Sequence, residues 1–111
     1  MKENQSRGRA VVIHAFDAPE DVPRAVGTAS TLREAFPDAR VRIIVNGAAL
    51  GAVPALAPED VPDGVEVGVC RIGLHRRNID EADIPDGVEI IPTAPVAIVE
   101  EQWAGAAYIR L

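Results

Sequence analysis

The sequence is poor in cysteine and in aromatic residues. Its 111 residues include one cysteine, Cys70, and only two Phe, one Trp and one Tyr. A single cysteine excludes an internal disulfide framework and any zinc site that is built from several cysteines. With so few aromatic rings, the core must be built from Val, Ile, Leu and Ala, which favours helices packed on a sheet.

Basic residues and long apolar runs are also scarce. Lys and Arg number 11 against 17 Asp and Glu, so the net charge is −6. We predict no nucleic-acid partner, because contacts to a phosphate backbone require a basic face. No apolar run reaches the roughly 18 residues of a membrane-spanning helix, and residues 1–8 lack the apolar centre of a secretory signal. We therefore expect a cytoplasmic protein with no membrane partner.

Apolar runs and helical spacings alternate along the chain after residue 8. Residues 1–8 show no periodicity and are predicted to be a flexible arm, which leaves residues 9–111 as a single domain. Short runs rich in β-branched residues predict strands at residues 9–15, 40–45, 65–70, 88–91 and 108–111. Helices are predicted between them, at residues 21–36, 48–56, 72–79 and 93–103. The alternation predicts an α/β fold with a mainly parallel sheet that helices cover on both faces.

Polar and reactive residues follow the predicted carboxyl ends of several strands. His14 lies at the end of the first strand, Asn46 and Gly47 follow the second, and Cys70 ends the third. In parallel sheets of this kind, ligands bind beyond the carboxyl ends of the strands. The Asn46-Gly47 pair is most simply a tight turn, and the alternative is that its backbone amides bind a small anion.

Cys70 is the candidate reactive residue because a predicted helix begins directly after it. Unpaired amides at a helix N-terminus and nearby cations stabilise a thiolate. Arg71, Arg76 and Arg77 follow closely, and Arg71 together with Arg76 or Arg77 is a candidate to stabilise an anionic sulfur. His14 or His75 could move a proton.

Two alternatives to a reactive Cys70 remain open. A lone cysteine at a strand end is commonly a small buried hydrophobe, and the basic residues could form a solvated face opposite the acidic segment 80–83. No set of residues has the spacing of metal ligands, so neither a metal nor a cofactor is predicted.

Several motifs resemble those of the DsrE/DsrF-like family. They are the strand Val65–Cys70, the segment Ile84–Pro92 and the end Gln102–Ile109, and the strand end Ile43–Gly47 also fits. The resemblance spans about residues 9–111. It implies a three-layer α/β/α sandwich with a mainly parallel five-stranded sheet, assembled as a homo-oligomer. It also implies that Cys70 carries sulfur as a persulfide in a relay with a donor or acceptor protein.

Two functions therefore compete. The first is a sulfur carrier of sulfurtransferase type that holds a persulfide on Cys70. The second is a non-enzymatic homo-oligomeric or small-ligand-binding module with a structural cysteine, because Arg71 and Ile72 follow Cys70 where relatives commonly have a small polar pair. A redox sensor with an exposed Cys70 is a third option. Trp103 is predicted to lie in the core or in a subunit interface, in an assembly between a dimer and a hexamer.

Overall fold

The structure, a computed structural model, describes residues 9–111. Five strands and three α-helices account for most of these residues. The arm predicted at residues 1–8 lies outside the described residues. The strands are β1 (Ala10–Ala15), β2 (Arg40–Val45), β3 (Val65–Cys70), β4 (Val88–Ile91) and β5 (Ala107–Arg110). The helices are α1 (Asp21–Ala35), α2 (Arg71–Arg76) and α3 (Ala94–Trp103), and a 3₁₀ helix spans Gly47–Ala55. None of these helices is long and apolar enough to cross a membrane.

The strands form one sheet in the order β4-β3-β2-β1-β5. All four pairs of neighbouring strands are parallel. The prediction of a mainly parallel five-stranded sheet is therefore confirmed. Because α3 connects the two edge strands β4 and β5, it must cross the whole sheet between them.

The two faces of the sheet carry separate apolar clusters. One face, which includes Ile13 and Ile43, packs against α1, the 3₁₀ helix and Leu74 of α2. The other face carries Cys70 among residues such as Ile44, which pack against α3. Alternate residues of each strand point to opposite faces, so continuous apolar runs supply both clusters. The predicted three-layer α/β/α sandwich is therefore confirmed.

The helix after Cys70 is shorter than predicted. The sequence pattern predicts it over residues 72–79, but α2 ends at Arg76. Asn78 adopts a left-handed backbone with φ of 57°, and the N–H of Ile79 donates to the carbonyl of Leu74. A left-handed residue just beyond the last turn ends a helix and satisfies its free carbonyl groups.

An ion network lies on the sheet face that α3 covers. Glu101 of α3 is buried, and its carboxylate accepts hydrogen bonds of 2.9 Å from both Arg40 and Arg42. Each arginine also pairs with a second carboxylate, Arg40 with Glu66 and Arg42 with Glu89. Burial alone would raise the pKa of Glu101, but the bonds from the two arginines lower it below its ordinary value. The network thus holds a charged group between helix and sheet.

Candidate functional site

A cavity of about 760 Å³ lies at the carboxyl edge of the sheet. Three segments line it, each at the end of a strand or just after it: Asn46 and Gly47 after β2, Cys70 at the end of β3 with Gly73, Arg76 and Arg77 after it, and Thr93 and Pro95 after β4. The carboxyl ends of parallel strands meet at one edge, so residues far apart in sequence come together there. A second cavity, of about 250 Å³, is lined by residues of the turns that precede β3 and β4, among them Asp63, Gly64, Asp86 and Gly87, and its described lining contains no histidine or cysteine.

Cys70 is at once a lining residue of the large cavity and a member of the core. It is only 5% exposed and packs in the cluster beneath α3. A Cβ atom placed on Gly73 would lie 3.8 Å from the Cys70 Sγ. Glycine at this position therefore leaves space beside the sulfur. The redox-sensor option required an exposed cysteine, and the burial of Cys70 contradicts that requirement.

Arg71 and His75 do not line the cavity. They lie four residues apart on one face of α2, and each makes a 3.0 Å hydrogen bond to Oε2 of Glu81. The bond from Arg71, and after it the bond from His75, lowers the pKa of Glu81. For these two residues, the structure agrees with the interpretation in which the basic segment faces the acidic segment 80–83.

Arg76 and Arg77 lie on the cavity instead. Both are exposed, and neither forms an ion pair with any residue between 9 and 111. Both were candidates from the sequence, where either was expected to stabilise the sulfur together with Arg71. As far as residues 9–111 are concerned, the cavity therefore carries positive charge that no carboxylate neutralises, on a protein whose net charge is −6.

His14 lies next to the cavity lining and reaches the cavity through Asn46. Its Nε2 atom is 2.7 Å from Oδ1 of Asn46, and its Nδ1 atom is 2.7 Å from the hydroxyl of Tyr108. The His14 ring also stacks on Phe16, with ring centres 4.9 Å apart. Tyr108 was missed as a site residue because only the pairing of β5 with β1 brings it to His14.

Residues 9–111 do not assemble a metal site. Within residues 9–111 there is no group of three or more His, Cys, Asp or Glu side chains that could hold a metal ion. Asp17 pairs with Arg110, His75 pairs with Glu81, and His14 contacts Asn46 and Tyr108. The side chains at the cavity are thus suited to binding anions and, at Cys70, to thiol chemistry.

The solved structures to which this structure is similar include two from different organisms. One is MTH1491, a protein of unknown function from Methanobacterium thermoautotrophicum, with a TM-score of 0.80 and 23% sequence identity. The other is the ychN protein from E. coli, with a TM-score of 0.71 and 21% identity. Each match covers 93% of this chain and 99% of the other. No protein-family model matches the sequence, and no curated protein matches it. At the level of architecture, the chain therefore has the DsrE/DsrF-like fold that the sequence motifs predicted.

Proposed function

We propose that the protein is a sulfur carrier that holds a sulfane sulfur on Cys70 as a persulfide. The observation that carries the proposal is the position of the chain's one cysteine, on a cavity beside two arginines that lack ion-pair partners among residues 9–111. The resemblance of the sequence motifs to the DsrE/DsrF-like family supports the proposal, because that resemblance implies a persulfide on Cys70.

The transfer step needs no cofactor. The Cys70 thiolate attacks the outer sulfur of a donor persulfide, so that a new S–S bond forms on Cys70 and the donor's S–S bond breaks. The donor leaves as a thiolate, and its electron pair leaves with it. The chain has no second cysteine that could resolve the persulfide. The donor and the acceptor are therefore other molecules, either small sulfur compounds or thiol proteins.

Arg76 and Arg77 stabilise the negative charge of the sulfur species in the cavity. A persulfide, a polysulfide and the departing thiolate are all anions, and guanidinium groups on the cavity stabilise them. Because both arginines are exposed, each contributes about as much as an exposed ion pair, about 0.2–1 kcal/mol. We therefore expect each arginine to change capture of the sulfur anion by only a few-fold.

Mass spectrometry after exposure to inorganic polysulfide tests the proposal. We expect the wild type to gain the mass of one sulfur atom and the Cys70→Ser variant to gain none. Arg76→Gln and Arg77→Gln should each slow the gain by about twofold to fivefold. Arg9→Gln is the matched control, because Arg9 is exposed and precedes β1 at the opposite edge of the sheet. A wild type that gains no sulfur, or a Cys70→Ser variant that gains as much, contradicts the proposal.

The burial of Cys70 favours a second candidate function. A thiol that is 5% exposed is also suited to a structural role. In that case the cavity binds a small anion without covalent chemistry, and the protein is a ligand-binding module. Unchanged binding of an anion by the Cys70→Ser variant, with no sulfur gained by the wild type, would favour this candidate over the carrier.

We also propose that α3 forms a contact between copies of this chain. Val96, Val99 and Trp103 are 55%, 40% and 84% exposed, so the alternative placement of Trp103 in the core is wrong. Large exposed aromatic side chains commonly anchor protein interfaces. Sedimentation should give a dimer or larger assembly for the wild type and the 11.8 kDa monomer for Trp103→Ser. The neighbouring exposed residue gives the control Gln102→Ala, and a monomeric wild type refutes the contact.

A further inference from the structure

Asn46 has a position that favours helix capping, but its side chain does not cap the helix. It is the residue before the 3₁₀ helix Gly47–Ala55, where asparagine commonly accepts a hydrogen bond from a backbone N–H of the first turn. The Asn46 side chain makes no such bond. Its Oδ1 atom instead lies 2.7 Å from Nε2 of His14, a residue 32 positions away. The side chain is therefore held by a contact between two neighbouring strand ends.

The donor and the acceptor of each hydrogen bond at His14 follow from the chemistry of Asn46. The amide oxygen of Asn46 can only accept, so Nε2 of His14 carries a proton and donates it. In the neutral ring, Nδ1 then has a free lone pair, and the hydroxyl of Tyr108 donates to it over 2.7 Å. Tyr108 thus supplies the donor that Nδ1 needs in the one neutral form of His14 that can hold the Asn46 oxygen.

The amino group of Asn46 is the end that remains for a ligand. Asn46 lines the large cavity, and between residues 9 and 111 its Nδ2 atom donates no hydrogen bond. The backbone on either side is fixed as well. The N–H of Asn46 donates to the carbonyl of Ala15, and a Cβ on Gly47 would lie 2.7 Å from the carbonyl oxygen of Phe16.

We propose that Tyr108 and His14 are positioning residues that turn the amino group of Asn46 towards the cavity, where it donates a hydrogen bond to an oxygen atom of an anionic ligand. Two N–H donors from Asn46 together with the guanidinium groups of Arg76 and Arg77 form a set that suits a small oxyanion. The proposal rests on the proposed function only in taking this cavity as the ligand site, and it does not depend on sulfur transfer by Cys70.

Inorganic sulfate is the probe, because it is an unreactive oxyanion. The side-chain NH₂ signals of Asn46 are followed by NMR during a sulfate titration of the full-length chain, and the Asn46→Ala variant identifies them by their loss. In the wild type, sulfate should shift these signals. Asn46→Ala should bind sulfate about tenfold more weakly or worse, because a hydrogen bond to a charged group is lost.

Two substitutions at His14 separate positioning from a structural role. In His14→Gln, the amide nitrogen of the new side chain would replace Nε2, so this variant keeps the donor to Asn46 and should bind sulfate within about twofold of wild type. In His14→Asn, the shorter side chain places its amide near the position of Nδ1 only, so the donor to Asn46 is lost. This variant should lose about as much affinity for sulfate as Asn46→Ala. Tyr108→Phe removes one hydroxyl and should weaken binding by about threefold. The His14 ring nitrogen shifts in the wild type should show the form protonated at Nε2.

Three results would overturn the inference. The first is sulfate binding that leaves the Asn46 signals in place, and the second is a His14→Asn variant that binds as tightly as wild type. The third is an absence of sulfate binding by the wild type. A protein that binds sulfate as described but gains no sulfur from polysulfide would refute the carrier function and keep this inference.

Discussion

Replacing Glu101 by glutamine tests how much the ion network under α3 stabilises the protein. The Glu101 side chain is 8% exposed, and each of its two carboxylate oxygens accepts a 2.9 Å hydrogen bond, one from Arg40 and one from Arg42. Glutamine offers one carbonyl oxygen and one amino group. In the variant, one arginine keeps an acceptor while the other faces a donor.

The size of the effect follows from the burial of the two arginines. The Arg42 side chain is 14% exposed, whereas that of Arg40 is 50% exposed and can turn to water and to Glu66. We therefore expect the variant to lose about one hydrogen bond between charged groups. The free energy of unfolding should fall by about 2 kcal/mol. For a domain of this size, each kcal/mol lowers the melting temperature by about 4–8 °C.

Urea unfolding at several pH values measures the effect and its origin. In the folded protein, burial would raise the pKa of Glu101, but the bonds from Arg40 and Arg42 lower it below its ordinary value. A group whose folded pKa is lowered contributes its stability above the unfolded pKa and loses it as the pH falls through the folded pKa. The difference between wild type and Glu101→Gln should therefore be full at neutral pH and shrink below about pH 4.

Glu100→Gln is the matched control. Glu100 is the preceding residue of α3, is exposed, and forms no ion pair with the part of the chain from residue 9 onwards. We expect this change to leave the free energy of unfolding within about 0.5 kcal/mol of wild type. The reasoning is refuted if Glu101→Gln loses no more stability than the control at neutral pH, or if its deficit grows as the pH falls.

Three glycines give further predictions, each measured by urea unfolding. Gly47→Ala should destabilise the protein by about 1–2 kcal/mol or more, because φ is +61° and the new Cβ would lie 2.7 Å from the carbonyl oxygen of Phe16. Gly27→Ala in α1 has nothing within 4 Å of its Cβ and should stabilise by up to about 1 kcal/mol. Gly73→Ala should cost about 1–3 kcal/mol, because its Cβ would lie 2.6 Å from Cδ1 of the buried Leu50. Gly73→Ala should also slow sulfur uptake by Cys70, because the new Cβ would lie 3.8 Å from the Sγ atom. If the three variants Gly27→Ala, Gly47→Ala and Gly73→Ala all had the same free energy of unfolding, these estimates would be contradicted.

The sequence was sufficient to predict the strands and most of the helices, because each is encoded by a local pattern of apolar residues. Apolar runs such as residues 43–45 are rich in β-branched residues on both faces, which is the composition of a strand that both layers of helices bury. The helix after Cys70 was predicted to end at Ile79, three residues beyond its observed end at Arg76, because the pattern through Ile79 is apolar at helical spacing while the end depends on the left-handed backbone of Asn78. Element types follow from periodicity, whereas element ends follow from single residues.

The directions of the basic side chains could not be predicted from their position in the sequence. Arg71, Arg76 and Arg77 all lie within seven residues of Cys70. A helix turns by about 100° per residue, so Arg71 points to Glu81 while Arg76 and Arg77 reach the cavity. Which of these directions meets the cavity depends on how α2 docks on the sheet.

The sequence by itself determined that Cys70 ends a strand at the carboxyl edge of a parallel sheet, because the apolar runs and the turns between them are encoded locally. Only the tertiary structure decided that the sulfur is largely buried, and that Tyr108, His14 and Asn46 form one chain of hydrogen bonds. The physical reason is the strand order. Residues 14, 46 and 108 meet because β1 lies between β2 and β5, and no local pattern specifies which strands become neighbours.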